Sequence, residues 1–189
     1  MNDPATKCPL WNVDCEEIRP IDGGLTHWID SSRAGGDYVI GFDLMNQLSN
    51  GIYCLTDAQK AAVTTWLDKE RKRLGDSPGP GKLVRLTNEI VEQAQNDELI
   101  PLSPDVRIRR MLRSIAALVP RGDWLPKARV TGSNRVLADT ESISRNDAEL
   151  LIDELISRQY VVECDGNVRV TLEGHTEATT KTPPEGAAE

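Results

Sequence analysis

The sequence predicts an α+β chain, on three observations. Between Val106 and Leu172 the apolar residues pass from helical spacing to strand alternation, in the order helix, loop, helix, hairpin. Between His27 and Ile40 two short β-rich runs flank a loop of turn formers. Between Gly41 and Gly75 helical spacing returns, with cap residues at both ends of the longer run. The first pattern is the layout of a winged helix, and the second is that of a small ribbon with cysteines beside it. The expected architecture is a small degenerate zinc-ribbon-like β unit with helices, followed by a winged-helix domain.

Taken in order, Cys8-Pro9-Leu10-Trp11 opens the ordered part and Cys15 follows. His27-Trp28-Ile29-Asp30 and Tyr38-Val39-Ile40 read as strands joined by the loop from Ser31 to Asp37. A β unit this small needs a metal, a disulfide or a neighbour to hold it. A four-ligand ribbon requires Cys-x-x-Cys at both ends. Here Trp11 stands where the second ligand belongs, and Ser31 and Ala34 stand where the far pair would sit. Cys8, Cys15 and His27 remain as candidate ligands, at a spacing that matches no regular zinc site. The expectation is a ribbon without metal that leans on Trp11, Trp28 and the following helices. Cys8 and Cys15 are then small buried or half-buried thiols, and no cofactor is expected.

Phe42, Leu44, Met45 and Leu48 make a short helix. Thr56 with Gln59 three residues on forms a capping box for a longer one, whose stripe is Ala58, Ala62, Val63, Trp66 and Leu67. Lys69, Arg71, Lys72 and Arg73 crowd its last turns before Gly75. Cations there suit the negative end of the helix dipole, and a phosphate or nucleic-acid contact is the alternative. Asp76 to Gly81 reads as a linker. Thr87 caps a further short helix containing Ile90, Val91 and Ala94, expected to pack on the winged helix. The expected division is residues 1–75 as ribbon plus helical unit, 76–102 as linker and short helix, 103–175 as winged helix, and 176–189 as a disordered tail.

Within the winged helix, Ile108, Met111, Leu112, Ile115, Leu118 and Val119 share one helical face, while Arg107, Arg109, Arg110 and Arg113 take the others. Pro104 opens this helix and Pro120 stops it. A short second helix is expected around Arg135 to Thr140. Ser144 and Asp147 begin the third, with the stripe Ala148, Leu151, Ile152, Leu155 and Ile156. Tyr160 to Cys164 and Asn167 to Leu172 flank Asp165-Gly166, a strong two-residue hairpin turn.

Composition narrows the function. Net charge is −8, so nucleic-acid binding needs a local basic surface. No apolar run approaches the ~18 residues that span a membrane, no signal-peptide pattern precedes the cysteines, and a cytoplasmic location is expected. The two histidines, His27 and His175, have no nucleophile and orienting acid near them in sequence. Gly79-Pro80-Gly81-Lys82 lacks the first glycine and the Ser/Thr of a phosphate loop. No enzyme activity, catalytic residue or small-molecule substrate is therefore expected.

Two interfaces remain. The exposed face of the third helix carries Asn146, Glu149, Leu150, Asp153 and Ser157, which suits a protein partner through Glu149, Leu150 and Asp153. Two carboxylates there would repel DNA phosphates. The alternative is a nucleic-acid surface of Arg107, Arg110, Arg113 and Arg169. From Ser103 to Glu173 basic and acidic side chains balance at eleven each, so total charge decides nothing between them.

Several motifs carry a resemblance covering roughly residues 8–175. Trp28-Ile29-Asp30-Ser31-Ser32-Arg33-Ala34-Gly35 with Tyr38-Val39-Ile40 resembles a "Trp-Val-Asp-Cys-Pro-x-Cys-Gly-x-Tyr-x-Ile" stretch with both cysteines replaced. Leu55 to Arg73 is similar to a "Leu-Thr-x-x-Gln" helix containing Trp. Ile100 to Val119 is similar to a "Pro-Leu" linker and helix, and Val170-Thr171-Leu172-Glu173-Gly174 to a "Val-Thr-Leu-x-x-x-Gly" wing end. In that order they resemble a module at the N-terminus of many uncharacterised bacterial proteins. Some of those carry nucleotide-binding or TIR-like effector domains of the kind associated with antiphage defence. The resemblance implies a sensory or adaptor half without the effector, with zinc ligation lost at three of four positions.

Overall fold

The structure is a computed structural model that describes residues 7–75, 83–119 and 122–180. It is α+β, with sheets of four and three strands. Two compact units divide the chain: Met1–Leu102 with Asn134–Ser144, and Ser103–Ser133 with Arg145–Glu189.

The sheet of the first unit runs β1 (Glu17–Ile21), β2 (Thr26–Ser31), β3 (Gly36–Gly41) and β4 (Arg85–Leu86), in that order. The first three are antiparallel, with Trp28 opposite Val39 and Ile29 opposite Tyr38, and β4 lies parallel to β3. The expected strands are thus the middle of the sheet. The sequence reading missed β1 because Pro20 breaks its pattern, and an edge strand is where a missing N–H is tolerated. It missed β4 because two residues carry no period. Helices α1 (Phe42–Ser49), α2 (Asp57–Leu74), α3 (Asn88–Gln95) and α6 (Asn134–Asp139) complete the unit.

Thr56 and Gln59 form the expected capping box on α2, and Gly75 closes it with φ 82°. The buried side of α2 is broader than a stripe: Ala61, Ala62, Val63, Thr64, Thr65 and Leu67 are all covered, because α3 and α6 both pack on it. Ala58 is exposed. The core joins Cys8, Leu10, Tyr38, Ile40, Leu67, Leu86 and Val91. The 83–102 segment gives Val84, Leu86, Val91 and Ala94 to this core and falls in the first unit, whereas the sequence grouped it with the following domain. The expected linker at Asp76–Gly81 lies outside the described residues.

The second unit runs α4 (Pro104–Leu118), β5 (Leu125–Pro126), α5 (Lys127–Thr131), α7 (Arg145–Ser157), β6 (Val161–Cys164), β7 (Asn167–Val170) and α8 (Leu172–Thr179). The sheet order is β5-β7-β6, all antiparallel. The short helix between α4 and α7 in this unit is α5, not the segment around Arg135 to Thr140 that was expected there. Ser103 caps α4 through Val106 N, with Pro104 in the first turn. Ile108, Met111, Leu112 and Ile115 meet Ala148, Ile152 and Leu155 across the α4–α7 contact. At the hairpin tip Asp165 and Gly166 hold φ of 49° and 72°, the paired left-handed geometry of a type I′ turn.

Two expected boundaries move. The 134–144 segment was expected inside the winged helix, yet α6 packs on α2 and on the 32–34 turn of the first unit. Its Val136, Leu137 and Ala138 are buried there, and no local signal distinguishes one core from another. The tail was expected to be disordered from residue 176, but α8 continues to Thr179. Thr171 caps it by accepting from Gly174 N, and Arg113 donates to the carbonyls of Ala178 and Thr180. Among the described residues no helix is long and apolar enough to cross a membrane.

Candidate functional site

In the first unit, Trp11, Ser31 and Ala34 stand at the positions where the ribbon expectation would place ligands. Trp11 and Ala34 are buried, and Ser31 Oγ accepts from Ala34 N at 3.4 Å inside the 31–35 turn. The Arg33 guanidinium carbon lies 3.5 Å from the Trp11 ring centroid, and Trp11 Nε1 donates to Thr64 at 2.9 Å. Arg33 is 4% exposed and donates to Ser142 O at 2.7 Å, while its Nη1 has no hydrogen-bond partner among the described residues. Burial pulls the Arg33 guanidinium down to about 10, which leaves it charged at neutral pH.

A second arginine holds the same loop. Arg71 donates to the carbonyls of Asp37, Gly35 and Ala34 at 3.1, 2.7 and 2.7 Å, and Arg135 shares the Gly35 carbonyl at 2.6 Å. Gly35 is left-handed at φ 79°, and a Cβ there would meet Arg71 Nη1 at 3.3 Å. The basic end of α2 therefore does more than complement a helix dipole: its fork of donors binds the loop that a metal would otherwise organise.

The candidate zinc ligands do not converge. Among the described residues no group of three His, Cys, Asp or Glu side chains is arranged to hold a metal ion. Cys8 is fully buried with its Sγ 3.6 Å from the Tyr38 hydroxyl, and Cys15 is half-buried. Burial, with Cys8 and Glu16 adding, pushes the Cys15 thiol up to about 11, so it is protonated at neutral pH. His27 stacks on Phe42 at 5.8 Å instead.

The sheet also carries a row of carboxylates, with Glu17 opposite Asp30 and Asp30 opposite Asp37. Burial first, and then Glu16, Asp37 and Glu17, raise the Asp30 carboxyl above its ordinary range. A raised carboxylate disfavours its charged form in the folded state, so this group costs stability as pH rises through its folded pKa. Asp30→Asn is expected to raise the unfolding free energy at pH 7 by under about 1 kcal/mol, read as a higher urea midpoint. The gain should fade as pH drops and vanish well below the ordinary Asp pKa of ~3.9, where Asp30 is neutral in both states. An unchanged midpoint at pH 7 would remove the strain from this row.

In the second unit the structure separates the two expected interfaces. Leu150 is 68% exposed on α7. Glu149 is half-buried beside it, and Asp153 is exposed one turn on. Asp153 receives Lys127 Nζ at 2.7 Å, and the same ammonium reaches Glu163 at 3.1 Å. One cation against two carboxylates leaves this cluster net negative.

The arginine set is not brought together as a free stripe. Arg107 is paired with Asp147 at 2.6 Å, both about one-fifth exposed. Arg113 is bound to the end of α8, Arg109 pairs with Glu177 at 3.5 Å, and Arg110 is half-buried and also engaged. Arg169 stands apart on β7, its guanidinium carbon 4.7 Å from the Trp124 ring. No protein-family model, curated protein or solved structure matches this chain. Trp124 and Arg33 were given no role in the sequence, and Lys127, which read as part of a basic surface, is paired with Asp153 and Glu163. Of the first two, only Trp124 gave a signal, as a large aromatic at a loop end.

Proposed function

We propose that the chain is a non-catalytic winged-helix adaptor or regulatory protein that binds another protein through the outer face of α7. Its setting is cytoplasmic, within a bacterial defence system of the kind the resembling modules imply. The observation that carries this reading is the chemistry of α7. An exposed leucine sits between two carboxylates, and no basic residue lies between Arg145 and Arg158. A surface of this kind fits a partner that offers an apolar pocket rimmed by cations. It does not fit a phosphate backbone, whose affinity depends on lysine and arginine. The arginines of α4 that could have supplied a nucleic-acid surface are spent on Asp147, Glu177 and the carbonyls of α8. The four cysteines are free thiols, as a reducing compartment would keep them.

A tagged chain, recovered from its host with nuclease treatment and washed at two salt concentrations, tests the reading. A stoichiometric protein partner retained at the higher salt and lost with Leu150→Asp is expected. Glu149→Lys with Asp153→Lys should weaken capture further. Recovery of nucleic acid alone, released by salt and reduced by Arg169→Ala, would overturn it.

A further inference from the structure

The outer face of the second unit's sheet carries a surface that α7 does not use. Val162 lies opposite Arg169, and Leu125 lies opposite Val168. One further step of the same antiparallel register sets Trp124 opposite Arg169, in agreement with their 4.7 Å stack. The three side chains thus form one row, Trp124–Arg169–Val162, and period-two alternation turns it away from the buried Leu125, Val168 and Val170. Trp124 is 43% exposed, and no ion pair holds Arg169 among the described residues. An arginine placed on a tryptophan face has lost little freedom still to lose, and keeps its fork of donors for a carboxylate. Tryptophan and arginine are also the types that dominate interface hot spots.

The same unit bears the complement of this pad. Leu150 is apolar and 68% exposed, and Glu149, beside it, has no ion pair among the described residues. An aliphatic side chain next to an uncompensated carboxylate is what a tryptophan next to an uncompensated guanidinium would accept. We infer that the occupant of the wing pad is the α7 face of a second copy of this chain, Leu150 against Trp124 and Glu149 against Arg169. The inference rests on the reading that α7 binds protein, and names the partner. Because the two surfaces differ, the contact is head-to-tail. Unless its rotation closes a ring, it leaves one α7 face and one pad unused at the ends of each assembly, so association proceeds past the dimer as concentration rises. The net charge of −8 opposes growth, but at physiological salt it is screened beyond ~8 Å, and the contact itself pairs opposite charges.

Sedimentation equilibrium of the full chain from about 1 μM to 1 mM tests this. The weight-average mass is expected to climb above the 20.9 kDa of one chain. Leu150→Asp and Trp124→Ala, both at exposed positions and checked for folding by circular dichroism, should each weaken association by ~10-fold or more. Mixed one to one, they should form dimers and stop there, since each retains one intact face. A chain that stays monomeric throughout, association that survives both substitutions, or a mixture that stays monomeric overturns the inference. If the chain is monomeric but Leu150→Asp still abolishes capture of a different host protein, the second-copy assignment fails and the α7 reading stands. If Leu150→Asp affects neither, both fail.

Discussion

Gly174→Ala is expected to destabilise the second unit by about 3 kcal/mol, a fall of ~15 °C in its thermal transition. A Cβ at residue 174 would lie 2.2 Å from the Tyr160 carbonyl oxygen and 2.9 Å from Val170 Cγ1. The first clash is with backbone, which cannot rotate away. The Tyr160 carbonyl already accepts from Thr171 N at 3.0 Å, so moving it would also strain the start of α8. Alanine ordinarily stabilises a helix relative to glycine, by about 1 kcal/mol. The two effects have opposite sign, so the direction of the change decides between them. Thr176→Ala, on the exposed side of the same helix, should stay within about 0.5 kcal/mol. A Gly174→Ala chain as stable as the parent would mean that α8 is not packed on the 160–170 hairpin. Gly174 thus has a physical reason: it lets α8 turn back across the strand end.

Arg71→Ala is expected to destabilise the first unit by about 3–5 kcal/mol. It deletes donors to the carbonyls of Ala34, Gly35 and Asp37, and among the described side chains Arg135 gives a second donor to Gly35 alone. Buried carbonyls left without partners cost more than the bonds themselves are worth. Arg71→Lys should recover less than half the loss, because one ammonium cannot reach three carbonyls in a fork. Arg73→Ala should leave the transition where it is, since Arg73 is exposed and pairs with Glu70 one turn earlier on the same helix. Unfolding followed by tryptophan emission reports mainly this unit, which holds Trp11, Trp28 and Trp66. If Arg71→Ala and Arg73→Ala behave alike, the guanidinium does not organise the loop and the dipole explanation of the basic cluster suffices.

These two positions also mark the limit of what the sequence conveys. Thr56 and Gln59 predict a capping box, Asp165-Gly166 predicts a type I′ turn, and the stripes of α4 and α7 predict which faces are buried. Each is a property of a few neighbouring residues, set by sterics and by hydrogen bonds that close within one turn. The α7 face of Glu149, Leu150 and Asp153 is legible for the same reason, as the remainder once the buried stripe is removed. Arg71 is different. Its spacing marks it as a helix-end cation, and only the approach of a loop more than 30 residues earlier gives it three carbonyls to bind. Arg107 and Arg113 likewise read as a basic stripe until Asp147 and the end of α8 arrive beside them. Val136, Leu137 and Ala138 carry a helical pattern that fits either core equally well. The sequence by itself determined the longer helices, the capping box of α2, the hairpin turn and the exposed face of α7, because those follow from local geometry; it did not mark β1, β4 or α8, and Thr87 precedes α3 without a side-chain cap. The tertiary structure decided which unit holds α6, that Arg71 binds the 34–37 carbonyls while Arg33 stacks on Trp11, and which arginines are paired within their own unit. Such pairings depend on contacts between distant residues, which no local period encodes.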